Sequence, residues 1–315
     1  MSFDSAKWVW MNGRSVRWDE ATVHVSAHAL HYGSGVFEGV RCYETEGGPA
    51  LFRLDAHLER LYHSAEVYGM EIPYTRGELD EAVCETVARN EFRSCYVRPI
   101  CFYGSRSLGV NPRGCPVEVA VMAWPWGAYL GAAGQEEGVR VTVSPWLKFD
   151  SRMMPTTAKA CGQYLNSILA ARDAASRGFA EALLLDTQGR IAEGSGENLF
   201  VVKAGRLHTN DERHPILLGI TRDAVIRIAR GLGLEVETHA LTPEDLRAAD
   251  EVFFTGTAVE VTPVSEVDGT PVGSGRRGPV TERIQRAFFD ATSGRDGRYH
   301  GWLRHVAAQP ALSGY

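Results

Sequence analysis

Lysine is scarce in this chain. Lys7, Lys148, Lys159 and Lys203 stand among 33 basic residues, and the others are arginine. Coding bias alone produces such a ratio, yet it leaves few amines able to attack a carbonyl. Long apolar runs are also missing. None approaches the ~20 residues that cross a bilayer, and Asp4, Lys7 and Asn12 interrupt the N-terminus before any signal-peptide core. A cytoplasmic protein with no membrane partner is expected. Positive charge is not in excess: 39 acidic residues give a formal charge of -6, which argues against a general nucleic-acid binder. The six cysteines form no CxxC pair and sit mostly in apolar stretches, so they read as core thiols. His24, His28 and His31 lie close together without a carboxylate or second histidine group to complete a ligand frame, and no metal site is expected. "GSGRRG" near Gly273 lacks GxGxxG spacing, which excludes a dinucleotide fingerprint there.

What is present is the composition of a folded protein, with 44% hydrophobic and 23% charged residues over a length of 315. That length suits one large domain or two ordinary ones. Asn12-Gly13 between apolar runs predicts a hairpin. "GVFEGVRCYE" reads as one strand, with "ALFRL" after it. Leu58, Leu61, Ala65 and Tyr68 fall on one helical face starting near Asp55, and Thr75 with Glu78 has capping-box spacing for a second helix. Two strands follow, "CYVRPICFYG" and "CPVEVAVMAW". Residues 125–138, rich in Gly and Ala, have no sustained period. They are expected to be an interdomain loop between a small N-terminal domain (1–124) and a larger C-terminal one (139–315). The second half predicts a helix after Cys161, strands split at Gln188-Gly189 and Ala204-Gly205, a helix after Gly219, and a last helix opened by Pro279. Strands come in clusters rather than in strict alternation with helices, which favours an α+β fold.

Four local features carry chemistry. Lys159 lies in "MPTTAKACGQYLN" among small uncharged neighbours. Partial burial would lower its pKa and prepare the amine to attack a carbonyl, although an ordinary loop lysine fits the same composition. Glu193, in "GRIAEGSGENLF", is either a carboxylate exposed by a wide turn or one held against a ring nitrogen, with Gly194 and Gly196 admitting a flat ligand. Gly219 precedes a helix whose first amides and Thr221 hydroxyl could hold a phosphate. Gly256-Thr257 ends a strand in a second small polar cradle.

Taken in order, "HALHYGSGVFEGVRCY", "HLERL", "YVRP", "GVNP", "PWGAYLG", "TTAKACGQYLNS", "EGSGENLF", "LGITRDA" and "FFTGTAVEVTPV" resemble the fold-type IV pyridoxal-phosphate enzymes, and within them the branched-chain amino-acid aminotransferases. The resemblance implies two domains with pyridoxal 5′-phosphate between them. It implies reversible amino transfer from L-leucine, L-isoleucine or L-valine to 2-oxoglutarate, giving branched 2-oxo acids and L-glutamate through an aminated form of the cofactor. Lys159 would hold the cofactor as a Schiff base, Glu193 would face the pyridine nitrogen, and Tyr164 would bond the phenolic oxygen. Arg60, Ile220, Thr221 and Thr257 would take the phosphate, with Gly196 and Gly256 beside the cofactor. Tyr96, Thr257 and Ala258 would receive the substrate α-carboxylate, with Arg98 orienting that network and Tyr129 in the same wall. Phe37, Gly39, Trp126 and Tyr164 would line the side-chain pocket. Tyr32 and Val110 resemble residues supplied by a neighbouring subunit, which implies a homodimer, or a hexamer built as a trimer of dimers. Leu218 and Gln163 depart from the usual residues beside cofactor elements, and Arg106 adds a charge to the loop entering the pocket. A D-amino-acid or (R)-amine transaminase of the same fold is the rival, against which "YVR", "FEGVR" and "GVNP" argue.

Overall fold

The hairpin at Asn12-Gly13 forms. β1 (Trp8–Met11) and β2 (Arg14–Arg17) pair antiparallel. The two turn residues have φ of 50° and 90°, both left-handed as a tight twisted hairpin requires. The computed structural model describes residues 3–127 and 130–307. The chain divides into two compact units, one of Met1–Gly127, Ala158–Gly162 and Ala291–Tyr315, the other of Ala128–Thr157 and Gln163–Asp290.

In the first unit, "GVFEGVRCYE" is two strands rather than the single one expected. β3 (Gly35–Phe37) and β4 (Val40–Thr45) both pair with a later strand, but the ladder breaks at Glu38-Gly39, where Glu38 turns inward to bond with a helix. Before them, α1 (His28–Tyr32) ends on Gly33. The φ of Gly33 is 63°, and an added Cβ would meet the Gly162 backbone at 2.8 Å, so only glycine fits. β5 (Gly48–Phe52) leads into α2 (Leu54–Val67), and α3 (Arg76–Arg89) carries the expected capping box, with Thr75 and Glu78 bonded reciprocally. β6 (Cys95–Tyr103) and β7 (Val117–Trp124) complete the central ladder. Among the described residues the sheet has eight strands, the last being Leu303–His305 against β5. Leu58 and Leu61 of α2 and Leu79 and Val83 of α3 pack with Val97 and Val119 of the sheet into one core. Each such side chain contributes roughly 1.5–3 kcal/mol by leaving water.

The second unit opens with α4 (Ala132–Glu137), a short helix inside the segment expected to be a loop. Gly131 and Gly138, at φ of 82° and 98°, bound it and explain the lack of a longer period. β8 (Val139–Val143), α5 (Tyr164–Ser176), β9 (Glu181–Leu185), β10 (Ile191–Gly194), β11 (Asn198–Lys203) and β12 (Arg206–Thr209) follow. α6 (Ile220–Gly231), β13 (Val236–Thr238), α7 (Pro243–Arg247), β14 (Glu251–Gly256), β15 (Glu260–Val267), β16 (Thr270–Pro271) and α8 (Pro279–Thr292) complete it. Among the described residues its sheet has nine strands in the order β10-β9-β8-β15-β14-β11-β12-β13, with β16 on β15. Val141, Leu183, Leu199, Val201, Phe254 and Val264 form its core.

The division differs from the expected single C-terminal domain over 139–315. Residues 158–162 join the first unit because Ala160 bridges to Val36, and 303–305 join it by pairing with β5. The fold class is α+β, with strands gathered into two sheets and helices packed on them. Five cysteines are buried and Cys161 is partly so, all as free thiols. No helix among the described residues is long and apolar enough to cross a membrane.

Candidate active site

The amine of Lys159 belongs to the first unit. Its carbonyl accepts from Phe37 N at 3.0 Å and its amide donates to Ser64 Oγ at 2.9 Å, so the residue is clamped between β3 and α2. Its Nζ lies 5.2 Å from the centre of the Phe37 ring. Burial, then the positive charge of Arg60, push the amine down to about 8, against opposing pulls from Glu38 and Tyr96. An appreciable fraction is therefore neutral and nucleophilic near neutral pH, the condition for carbonyl attack.

Beside it is a buried charge cluster that the sequence reading missed. Glu38 is fully buried in the break between β3 and β4. Its Oε1 accepts from Arg60 Nε at 2.6 Å, and its Oε2 from Arg60 Nη2 at 3.0 Å and His57 Nδ1 at 2.7 Å. His57 and Arg60 stand three residues apart on α2, so one helical face supplies both donors. Burial alone would raise the Glu38 carboxyl. Arg60 and His57 outweigh it and hold the group well below the usual carboxylate range. Burial likewise holds His57 below its ordinary value, consistent with a neutral ring donating through Nδ1. Two of the Arg60 nitrogens are thus committed to fixing its guanidinium in place. No local signal in "FEG" or "HLER" pairs the two segments, since the acid and the helix meet only through the fold.

Tyr96 and Arg98 alternate along β6 and so share a face. Arg98 Nη2 donates to Tyr96 Oη at 3.4 Å, and the guanidinium lies 4.6 Å over the Phe37 ring. Trp126 meets Tyr96 edge-on at 4.5 Å. Arg41 fixes the chain there by donating to the Trp126 carbonyl at 2.9 Å and the Gly127 carbonyl at 3.0 Å. A Cβ on Gly39 would overlap Tyr96 Oη, which is why a residue without a side chain stands there. Among the described residues, Arg98 Nε and Trp124 Nε1 are buried without a hydrogen-bond partner. Two such donors in one aromatic wall suit an oxyanionic ligand. Tyr32 and Val110 are 44% and 80% exposed and do not join this wall within their own unit. They are tied to each other's neighbourhood instead: Tyr32 Oη donates to the Leu108 carbonyl at 2.6 Å, and His28 Nε2 lies 2.8 Å from the Gly109 carbonyl. Arg106 is exposed in the same loop.

The second unit holds the remaining candidates. Glu193 is buried, not displayed by a wide turn. A register shift between Ile191 and Glu193 re-aims the side chain inward. It accepts from Leu217 N at 3.0 Å and Asn198 Nδ2 at 3.3 Å, and Lys148 Nζ stands 2.6 Å from its Oε1. Lys148, one of four lysines, was not singled out by the sequence. No local pattern ties it to a strand 45 residues on. Asn198 Oδ1 also accepts from Gly219 N at 3.0 Å, so one amide joins the acid to the start of α6. Gly219, lacking a side chain, leaves the amides of Ile220 and Thr221 without a side-chain cap. That uncapped helix start fits a phosphate. Gly196 and Gly256 approach closely, an added Cβ on Gly256 reaching the Gly196 carbonyl at 3.5 Å. Thr257 and Ala258 follow in the turn after β14. Tyr164 opens α5, and the preceding Gln163 donates to the Pro155 carbonyl at 2.7 Å, so this departure buttresses a loop. Leu218 is 39% exposed, and Tyr129 lies outside the described residues.

Residues 35–267 match the model of the amino-transferase class IV family. The chain is similar to the branched-chain-amino-acid aminotransferase of Escherichia coli (strain K12), at 47% identity over 97% of this chain and 99% of that protein. The Pseudomonas aeruginosa protein of the same name is 46% identical over 93% and 95%. Among solved structures, the T.th. branched-chain amino acid aminotransferase with pyridoxamine 5′-phosphate superposes with a TM-score of 0.93 at 51% identity, covering 96% of this chain and 99% of that one. The Escherichia coli enzyme superposes at 0.94 and 48%, over 96% and 100%. With identity of this order along nearly its whole length, the chain belongs to the class IV aminotransferases and, among them, to the branched-chain-amino-acid aminotransferase family.

Proposed function

We propose that the chain binds pyridoxal 5′-phosphate on Lys159 and moves the amino group of L-leucine, L-isoleucine or L-valine to 2-oxoglutarate, releasing the branched 2-oxo acid and L-glutamate. The observation that carries this reading is the Lys159 amine, clamped through its own backbone and pushed down to about 8. The donor set fits the cofactor. Arg60 is pre-oriented by Glu38, the start of α6 is uncapped, and Glu193 is an acid inside a polar frame.

When bound, the cofactor supplies an electron-withdrawing ring that receives the electron pair left at Cα. The protein supplies everything else. Lys159 Nζ takes the Cα proton and returns one in the reverse sense. Glu193 holds a proton on the pyridine nitrogen, with Asn198 and Leu217 N fixing its carboxylate. Tyr164 bonds the phenolic oxygen. Arg60, Ile220 N, Thr221 and Thr257 bind the phosphate, with Gly196 and Gly256 allowing close approach. Tyr96, Thr257 and Ala258 hold the α-carboxylate. Arg98 orients that network, and Phe37, Gly39, Trp126 and Tyr164 shape the aliphatic pocket and exclude water.

We further propose a homodimer, able to serve as the unit of a hexamer, in which Tyr32 and Val110 complete a partner's site. The exposure of Tyr32, Leu108 and Val110 supports it, as does the stripe of Leu165, Ile168 and Leu169 at helical spacing on α5. A cytoplasmic location belongs to the same proposal. Stereospecific amino-donor profiling with 2-oxoglutarate tests the reaction. Turnover is expected with L-Leu, L-Ile and L-Val, and preference for D-amino acids or (R)-amines would overturn it. Mixing Lys159→Ala with an inactive Tyr32→Ala tests the dimer. Activity should return as mixed dimers form, and no recovery in verified mixed dimers would remove the shared site.

A further inference from the structure

Among the described residues, the sheet of the second unit ends in β13, a three-residue strand with one neighbour. β12 and β13 run parallel with His208 opposite Glu237. Alternation along β13 returns the chain to the same face two residues later, at His239. The amide of His239 donates to the Thr209 carbonyl at 3.0 Å, which holds this residue in the ladder. Two imidazoles and a carboxylate are thus gathered by backbone register, although 29 residues separate His208 from Glu237 in the chain.

The atoms converge as well as the residues. His208 Nδ1 lies 3.1 Å from His239 Nε2 and 3.6 Å from Glu237 Oε2, and the potential ligand atoms of all three lie within 4.8 Å of one another. The rings are inclined at 70°, so nitrogens rather than faces meet. His239 Nδ1 is 3.0 Å from the Ala240 carbonyl, which can only accept. In the neutral ring the proton therefore sits on Nδ1, and the Nε2 lone pair points at His208. A carbonyl behind the outer nitrogen is how proteins orient a histidine ligand. Two nitrogens bound to one zinc-like ion at ~2.0–2.1 Å stand about 3.0–3.4 Å apart. Arg206 Nη1 engages the other oxygen of Glu237, Oε1, at 3.4 Å, leaving Oε2 turned to the histidines.

We propose that His208, Glu237 and His239 bind a divalent transition-metal ion of the Zn²⁺, Ni²⁺ or Cu²⁺ class, separately from the residues assigned to amino transfer. Two imidazoles exclude a preference for Mg²⁺ or Ca²⁺, which take oxygen ligands. The ion would clamp the short edge strand to its neighbour, with water filling the coordination on the exposed Glu237 side.

The test uses chelator-treated, desalted holoenzyme titrated with Zn²⁺ and with Ni²⁺ by calorimetry. Because the cofactor can itself chelate metals, the reference is the double variant His208→Ala/His239→Ala, accepted only if its cofactor absorption and metal-free melting temperature match the wild type. One ion per chain is expected, with affinity weakened at least ~10-fold by either single histidine substitution, no less than the loss of even an outer-shell partner. Glu237→Gln, an exposed substitution that leaves folding intact, should weaken it too. Zn²⁺ should slow amide exchange over 236–239 and raise the melting temperature in the wild type, less so in the single variants and not in the double variant, with transamination rates unchanged in all variants. Equal affinity in wild type and double variant, or no stoichiometric uptake by the wild type, overturns the proposal.

Discussion

Lys148 offers a sharp test of the second unit's electrostatics. Its Nζ stands 2.6 Å from Glu193 Oε1, with the two side chains 11% and 8% exposed. At an effective dielectric near 20, a contact of this length carries on the order of 6 kcal/mol of Coulomb energy before desolvation. Removing one member of a buried pair costs about 3–5 kcal/mol, because the other charge is left without compensation. Leu217 N and Asn198 Nδ2 still bond Glu193, so the loss for Lys148→Met should fall at the lower end, about 3 kcal/mol. For a unit of this size that is a drop of roughly 6–12 °C in melting temperature. Lys148→Arg, which keeps the charge, should lose far less. Scanning calorimetry on wild type, Lys148→Met, Glu193→Gln and the double variant completes a cycle, and the double variant should be less destabilised than the sum by at least ~1.5 kcal/mol. Strict additivity would mean that the ion pair carries no coupling, and the account of how Glu193 is held would be wrong.

Other consequences are as direct. Apoenzyme should recapture pyridoxal 5′-phosphate at a rate that climbs with pH through about 8, following neutral Lys159; a midpoint near the 10.5 of an ordinary lysine would refute the buried-amine argument. Gly39→Ala forces a methyl into Tyr96 Oη, and overpacking of roughly 1–3 kcal/mol should lower kcat/KM for leucine about 10- to 100-fold with the cofactor spectrum unchanged. Hydrogen bonds from Arg213, then His214, hold Asp211 at about 2 against the effect of burial, so its stabilising contribution is complete above the ordinary carboxylate value and fades as pH falls toward 2. Asp211→Asn should therefore flatten the acid limb of a stability profile, and an unchanged limb would exclude the residue. Arg98→Met should weaken the single-turnover reaction with glutamate far more than that with leucine, since burying an unpaired γ-carboxylate is costly; equal losses would assign Arg98 to the shared α-carboxylate.

Most of the architecture was legible where local rules act alone. Thr75 and Glu78 cap α3 as their spacing demands, and Asn12-Gly13 turns the first hairpin. What the sequence concealed depends on distant partners. The break at Glu38-Gly39 cannot be read from "GVFEGV", because it exists to let Glu38 meet Arg60 and His57 on a helix about 20 residues later. β13 was invisible for the same reason: Val236–Thr238 is too short for a pattern and is a strand only beside β12. Small or glycine-rich neighbours made Lys159 and Glu193 candidates, but an ordinary loop lysine and an exposed turn carboxylate fitted the same patterns, and their roles came from the family resemblance. Lys148 had no such setting, since its role is defined by a partner brought close through the fold.

The five residues Ala158–Gly162 belong with the first unit while their flanks, through Thr157 and from Gln163, belong with the second. This has consequences for biosynthesis and for gene surgery. A ribosome that has released the first 127 residues has made neither the reactive amine nor the strand Leu303–His305 that closes the sheet against β5. The first unit thus cannot reach its final form by vectorial folding, and its edge stays open until Leu303–His305 has been made. A split protein cut after residue 127 would place the whole lysine segment on the wrong fragment. Circular permutation meets the same obstacle unless the new ends leave both returning segments intact. A unit that takes back residues 158–162 and 303–305 can be completed only after the intervening residues of the other unit have been made.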